Sequence, residues 1–318
     1  MPVLPTAVGA GIPLRHRIGG ARDAAAGDIP LGVPVLHGPP FEVVFPDAEA
    51  IGGGSGLFRL WKSSNYLIGC ASAPLTGAIT GELAAGGIYD NLLRLVGSEH
   101  HLCRIWNYVP GINTPCSDGM EVYQSFCRGR SLAFEAAWGR EFKTRLPAAS
   151  AVGSQGDELI VLFAASTGRA RHFENPHQVP AYDYPCQYGP RPPSFARATV
   201  CETRPASRDV FVSGTSSVRG HESIAMGDIL SQTRCTLENL RDISRACDLG
   251  DHCGLDRAEA AFVKVYLRHA GDFGAVETAL RGAFSAENLN LHIVHADVCR
   301  SNLDIEIEVT ARGVTHAH

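Results

Sequence analysis

The sequence predicts an α+β protein made of two tandem copies of one unit, and three observations carry that prediction. The order strand, helix, strand, helix, strand occurs twice between residues 57 and 310. Within each copy the apolar residues either alternate or recur every three to four positions, the two periods that separate strands from helices. The chain is also long enough: 318 residues, 45% hydrophobic and 19% charged, can bury the cores of about two domains.

Residues 1–40 are rich in Gly, Pro and Ala without a sustained period, and read as an extended arm laid on the surface or partly disordered. GGGSG at 52–56 lacks the Lys-Ser/Thr of a phosphate-binding loop, so it reads as a flexible turn. The first copy opens with the strand 66–72 (YLIGCAS) and the second with 210–216 (VFVSGTS). Helical patterns follow at 81–97 and 227–248; in the second, Ile229, Thr233, Leu237, Leu240 and Ile243 mark one buried face. Strands 104–109 and 262–267 bring Tyr108 opposite Tyr266, and helices 119–138 and 272–285 lead to the closing strands 158–164 (ELIVLFA) and 303–309 (LDIEIEV).

The last of these strands carries the chemistry. Leu303, Ile305, Ile307 and Val309 share one face, and Asp304, Glu306 and Glu308 the other. Three carboxylates in a row repel one another, so the face is stable in water, or in a cleft where protons or cations compensate. The pattern alone allows both a solvated face and a proton donor. Aligning Ile160 with Ile305 puts Val161 and Phe163 where the second copy has Glu306 and Glu308. An apolar counterpart implies that this face can be packed, which favours acids in a partly enclosed space.

Between the copies, residues 167–197 are crowded with Pro, Tyr and Arg. Four aromatic side chains (Phe173, Tyr182, Tyr184, Tyr188) and several prolines argue for an ordered, extended path. Arg169, Arg171, Arg191 and Arg197 offer forked donors suited to carboxylates. The segment is therefore either an inter-domain strap with solvated arginines or the wall of a pocket for a small organic acid.

Composition excludes several function classes. A net charge of −5 gives no basic field for nucleic acid. No apolar run approaches the roughly 20 residues of a membrane span, and no charged segment leads into an apolar one at the N-terminus, so a cytoplasmic protein is expected. The ten cysteines form no C-x-x-C pair and read mostly as reduced core thiols. His100-His101 and the pair His292, His295 lack a third ligand at a recognisable spacing, so no metal is expected. Cys299 as a nucleophile would need an activating His, for which His295 is the nearby candidate.

The order of elements, the Ser-Gly in 210–216 and the closing IEIE strand resemble the small trimeric fold of the reactive-intermediate deaminases (RidA/YjgF-like, chorismate-mutase-like), here present twice in a pseudo-trimeric arrangement. Deaminases of that kind place substrate between neighbouring units. Longer strings are similar to the chorismatases, enzymes that remove pyruvate from chorismate: 104–113 (RIWNYVPGIN), 123–130, 175–198, 213–222 (SGTSSVRGHE) and 296–308. The resemblance covers most of residues 57–310. It implies that Glu306 is the catalytic acid, its pKa raised by burial and by Asp304 and Glu308, protonating the enolpyruvyl ether without metal or organic cofactor. Gly214 and Cys299 match the branch that forms 3-hydroxybenzoate, with 4-hydroxybenzoate released by some relatives, rather than the branch that hydrolyses chorismate to a dihydroxycyclohexadiene carboxylate. Arg197, Arg191, Tyr188 and Tyr182 lie in the matching linker string and are the expected binding residues. The resemblance thus implies a monomeric lyase of secondary metabolism, with an arm to residue 56, a first unit at 57–166, a linker at 167–197 and a site-bearing second unit at 198–318.

Overall fold

A computed structural model describes residues 13–17, 28–52, 56–75, 80–204, 207–284 and 289–315. Most of the first 27 residues and of the GGGSG turn lie outside the described residues. The elements in chain order are β1 (Pro13–Arg17), β2 (Asp28–His37), β3 (Phe41–Val43), β4 (Glu49–Ala50), β5 (Arg59–Lys62), β6 (Tyr66–Pro74), α1 (Gly81–Val96), β7 (His101–Pro110), α2 (Val122–Trp138), β8 (Ala148–Ser154) and β9 (Glu158–Ser166). They continue with β10 (Ala170–Phe173), β11 (Ala198–Arg204), β12 (Ser207–Thr215), β13 (Val218–Arg219), β14 (Glu222–Ser223), α3 (Ile229–Ala246), β15 (Ala260–Leu267), α4 (Phe273–Arg281), β16 (Leu289–His295) and β17 (Ile305–Thr315).

The duplication is explicit in the sheets. One runs β4-β5-β6-β9-β7-β8, and the other contains β10-β11-β12-β17-β15-β16 in the same relative order. In both, the third-from-last strand is antiparallel to both of its neighbours and the last two are parallel. Each unit is a sheet covered by two helices. Thr80 starts α1 by accepting from the Leu83 N–H, Glu121 and Gln124 form a reciprocal capping box on α2, and Asp228 caps α3 through Ser231 N–H. The helices bury apolar stripes such as Ala85, Ile88, Tyr89, Leu92 and Val96 against their own sheet, while a third core fills the space between the two sheets.

Two sequence-based expectations change. Residues 28–37 are not a surface arm. They form β2, hydrogen-bonded to β16 through Val35 and Val294, and bury Ile29, Leu31 and Val33 between the sheets. The alternation of Ile29, Leu31, Val33 and Val35 was hidden by the intervening Pro and Gly.

The alignment of the closing strands is out by one residue. Tyr108 of β7 lies opposite Ile160 of β9, and Tyr266 of β15 lies opposite Glu306 of β17. Ile160, not Val161, therefore stands where the second unit has Glu306, and Leu162 stands in for Glu308. A one-residue slip exchanges the two faces of a strand: Val161 and Phe163 pack under α1 and α2, whereas Ile160 and Leu162 belong to the core between the sheets. That face is apolar in the first copy all the same.

Candidate active site

A cavity of about 520 Å³ opens between the units. Its floor is Glu306 on β17, its walls are Ser150 on β8, Gly214 on β12 and Arg130 on α2, and its roof is the strap between the units, from Tyr184 to Arg197. The strap leaves β10, which pairs with β11, and then runs without long elements. Arg300, in the turn before β17, holds it: its guanidinium lies 4.0 Å from the Tyr188 ring centroid and 5.1 Å from that of Tyr184. Arg300 also donates to the His221 carbonyl and the Ser223 hydroxyl.

Glu306 is 3% exposed, and its pKa is pushed up to about 8, first by burial and then by the charge of Glu308. Arg104, Arg197 and the Ser216 hydroxyl pull the other way. Near neutral pH it therefore holds its proton. Glu308 differs although it is equally buried: Arg104 donates to it at 2.6 Å, Ser150 at 2.6 Å, Trp106 Nε1 at 3.0 Å and Lys264 at 3.3 Å. Those cations hold Glu308 below the usual carboxylate range against the desolvation cost. Two carboxyls on one strand face are thus split into one neutral acid and one fixed anion. Asp304, expected to add to the acid's environment, instead binds Gln232 of α3 at 2.8 Å, with His269 at 3.5 Å, and does not line the cavity.

Gly214 fits tightly against Glu306. A Cβ built on it would overlap the Glu306 carboxyl oxygen, so this position must lack a side chain for the acid to lie where it does. Cys299 lines the cavity, but burial first, with Glu306 beside it, pushes its thiol up to about 12. It is a neutral wall group rather than a thiolate, and His295, engaged near the Arg268 carbonyl, is absent from the cavity lining.

The strap residues divide. Arg197 and Tyr188 line the cavity; Arg191 and Tyr182 do not. Arg191 pairs with Glu135 of α2 at 2.6 Å, and Tyr182 packs under the Lys143 ammonium. In their place stand Arg130 and Arg300, which the sequence reading did not single out. Arg130 is 1% exposed with its Nε unsatisfied, and Arg197, 5% exposed, donates to the Tyr184 hydroxyl at 2.7 Å and also has an unsatisfied Nε. Among the described residues neither forms an ion pair with a carboxylate. A buried, unpaired guanidinium is costly, and two beside a neutral acid make a pocket suited to an anionic ligand. The signal for Arg130 was in the sequence: it falls on the buried stripe Tyr123, Phe126, Cys127, Arg130, Ala133, Phe134.

Two α+β units sharing a cleft that joins buried arginines to one protonated carboxyl define an enzyme acting on a small organic anion. The family "Chorismatase FkbO/Hyg5-like, N-terminal" matches residues 42–165. The chain is 39% identical over 276 residues to a 3-hydroxybenzoate synthase of Streptomyces hygroscopicus, covering 84% of this chain and 80% of the relative. It is 39% identical over 256 residues to a chorismatase of Streptomyces rapamycinicus, covering 78% and 75%. A crystal structure of a chorismatase superposes with a TM-score of 0.74 at 27% identity, covering 97% of this chain and 95% of that one. The chain belongs to the chorismatase family.

Proposed function

We propose that this protein converts chorismate to 3-hydroxybenzoate and pyruvate, with Glu306 as the proton donor. The observation that carries the reading is a buried carboxyl, protonated near neutral pH, at the floor of an arginine-lined cavity. Arg130, Arg197 and Arg300 receive the two carboxylates of chorismate, bidentate pairing being the natural geometry of guanidinium with carboxylate. Glu306 gives its proton to the methylene carbon of the enolpyruvyl ether, making an oxocarbenium ion. The ether bond to the ring then breaks, its electrons staying with the departing oxygen as pyruvate forms. The ring hydroxyl participates in place of water, and the proton lost when the ring becomes aromatic balances the one donated. Chorismate thereby equals hydroxybenzoate plus pyruvate, with no water added. Cys299 shapes the ring side of the pocket as a neutral thiol, and Tyr188 closes its roof. The first unit supplies Arg130 and Ser150, so both units are needed, and a monomer holds the complete site.

Incubating the purified protein with chorismate and separating the products by chromatography tests this. Equal 3-hydroxybenzoate and pyruvate are expected; a dihydroxycyclohexadiene carboxylate would overturn the lyase assignment, and unconsumed chorismate would overturn the substrate.

Gly214→Ala should displace the Glu306 carboxyl because the added methyl occupies its place. A misplacement of this size costs roughly a hundredfold in turnover. Steady-state kinetics on chorismate, with a crystal structure to locate the carboxyl, would check it; unchanged kcat would separate Gly214 from the acid's placement.

A further inference from the structure

Glu308 is the hub of a buried ionic cluster that spans both units. Arg104 and Lys264 are its cations, and Glu42, from β3, is the second anion, 2.5 Å from the Lys264 ammonium. Lys264 and its partners, though desolvated, hold Glu42 down at about 2. His16 and His292 border the cluster and stay neutral, burial pushing His16 down to about 4 and lowering His292. Two cations balance two anions, so the cluster is neutral while Glu306 keeps its proton.

Ser150 stands where this cluster meets the cavity. Its hydroxyl oxygen accepts from Arg104 at 2.5 Å and from the Gly214 N–H at 2.9 Å, and its proton goes to Glu308 at 2.6 Å. The backbone of Gly214 is the surface against which the Glu306 carboxyl rests. We propose that Ser150 and Glu308 are positioning residues for Glu306: Ser150 ties the Gly214 edge to the Glu308 carboxylate, and that anchored charge faces the acid from two residues along the same strand face. The inference rests on the reading of Glu306 as the proton donor to chorismate.

Besides Arg130 of α2 and Arg300 of the turn before β17, which line the same cavity, these groups surround Glu306. Glu308 lies on its own strand, Arg104 comes from β7, Arg197 from the strap, Cys299 from the turn before β17 and Ser216 from the end of β12, while Lys264 and Tyr266 come from β15, Tyr266 with its hydroxyl 3.4 Å from that of Tyr108. Glu308 is the anion among them. Removing its charge leaves Arg104 without its carboxylate while Lys264 keeps Glu42, and the freed Arg104 charge favours the Glu306 carboxylate.

The test is the pH dependence of kcat for chorismate. The acid form is the active one, so wild-type kcat should fall as pH rises through about 8. In Glu308→Gln that alkaline limb should move down by about one pH unit or more, the size of a neighbouring-charge effect. Glu308→Gln with Lys264→Met conserves the net charge of the cluster and should show the same movement, which decides the matter if the single variant does not fold. Ser150→Ala retains the charge; it should lower kcat about tenfold with KM and the limb unchanged, as expected for a loosened acid. Lower kcat in the Glu308 variants at every pH without movement of the limb would overturn the role of Glu308, and unchanged kcat in Ser150→Ala would overturn that of Ser150. A second readout needs no substrate: the infrared carboxylic-acid band of ligand-free protein, assigned by its loss in Glu306→Gln, should titrate near 8 in wild type and lower in Glu308→Gln. If chorismate is not consumed at all, the functional reading fails, while the band still decides whether Glu308 governs the acid; an unmoved band overturns the inference.

Discussion

Glu306→Gln is expected to cut chorismate turnover by about a thousandfold, within the range that a general acid contributes, while leaving ligand binding intact. The amide has the shape of the acid and can donate a hydrogen bond, but it has no proton to give to carbon. Glu306 is held at about 8 and is therefore neutral at pH 7, so the replacement unpairs no charge. Arg130, Arg197 and Arg300 are untouched, and they carry the binding. Product chromatography together with calorimetric titration of chorismate into the variant separates the two quantities. Turnover at the wild-type rate would remove Glu306 from the mechanism; lost binding with lost turnover would make it a recognition group instead.

Arg104→Met should be the most damaging substitution for stability. Arg104 is fully buried, 2.6 Å from Glu308, and stacks 5.0 Å from the Trp106 ring. Breaking a buried pair by deleting one partner costs about 3–5 kcal/mol, because the other charge is left unpaired. For a chain of this size that corresponds to a fall of roughly 5–8 °C in thermal midpoint. The loss should shrink in acid: the surrounding cations hold the Glu308 carboxyl low in the wild type, but in the variant a carboxylate left to share Lys264 with Glu42 takes up a proton more readily as pH falls. Calorimetric scans at neutral and acidic pH would check this, and an equal fall at both would point to lost packing rather than lost charge.

The order of elements was legible because each copy repeats it, and strings around Glu306, Gly214 and Cys299 were long enough to mark one wall of the cavity. The relative phase of the two closing strands was not. ELIVLFA is apolar on both faces, so its sequence carries no phase, and only the pairing of Tyr108 with Ile160 fixes it. In the strap, prolines set an extended path without a period, so nothing in sequence separates Arg197, which turns inward, from Arg191, which finds Glu135. Arg130 could have been found, since an arginine on an apolar helical stripe must meet either a partner or a ligand. Ser150 could not: its importance lies in three partners drawn from β7, β12 and β17, which no local pattern records.

The pairing of β2 with β16 bears on how the chain is made. Residues 28–37 emerge from the ribosome about 260 residues ahead of their partner at 289–295, which at ordinary elongation rates is a wait of roughly 10–50 s. Throughout that interval Ile29, Leu31 and Val33 have β1 and the first unit beside them but lack β16 and the second sheet that completes their cover. A nascent chain arrested before residue 289 should therefore carry a sticky leading segment on an otherwise folded first unit, and chaperone engagement at that segment is the expected cost of a structure whose early strand is secured last.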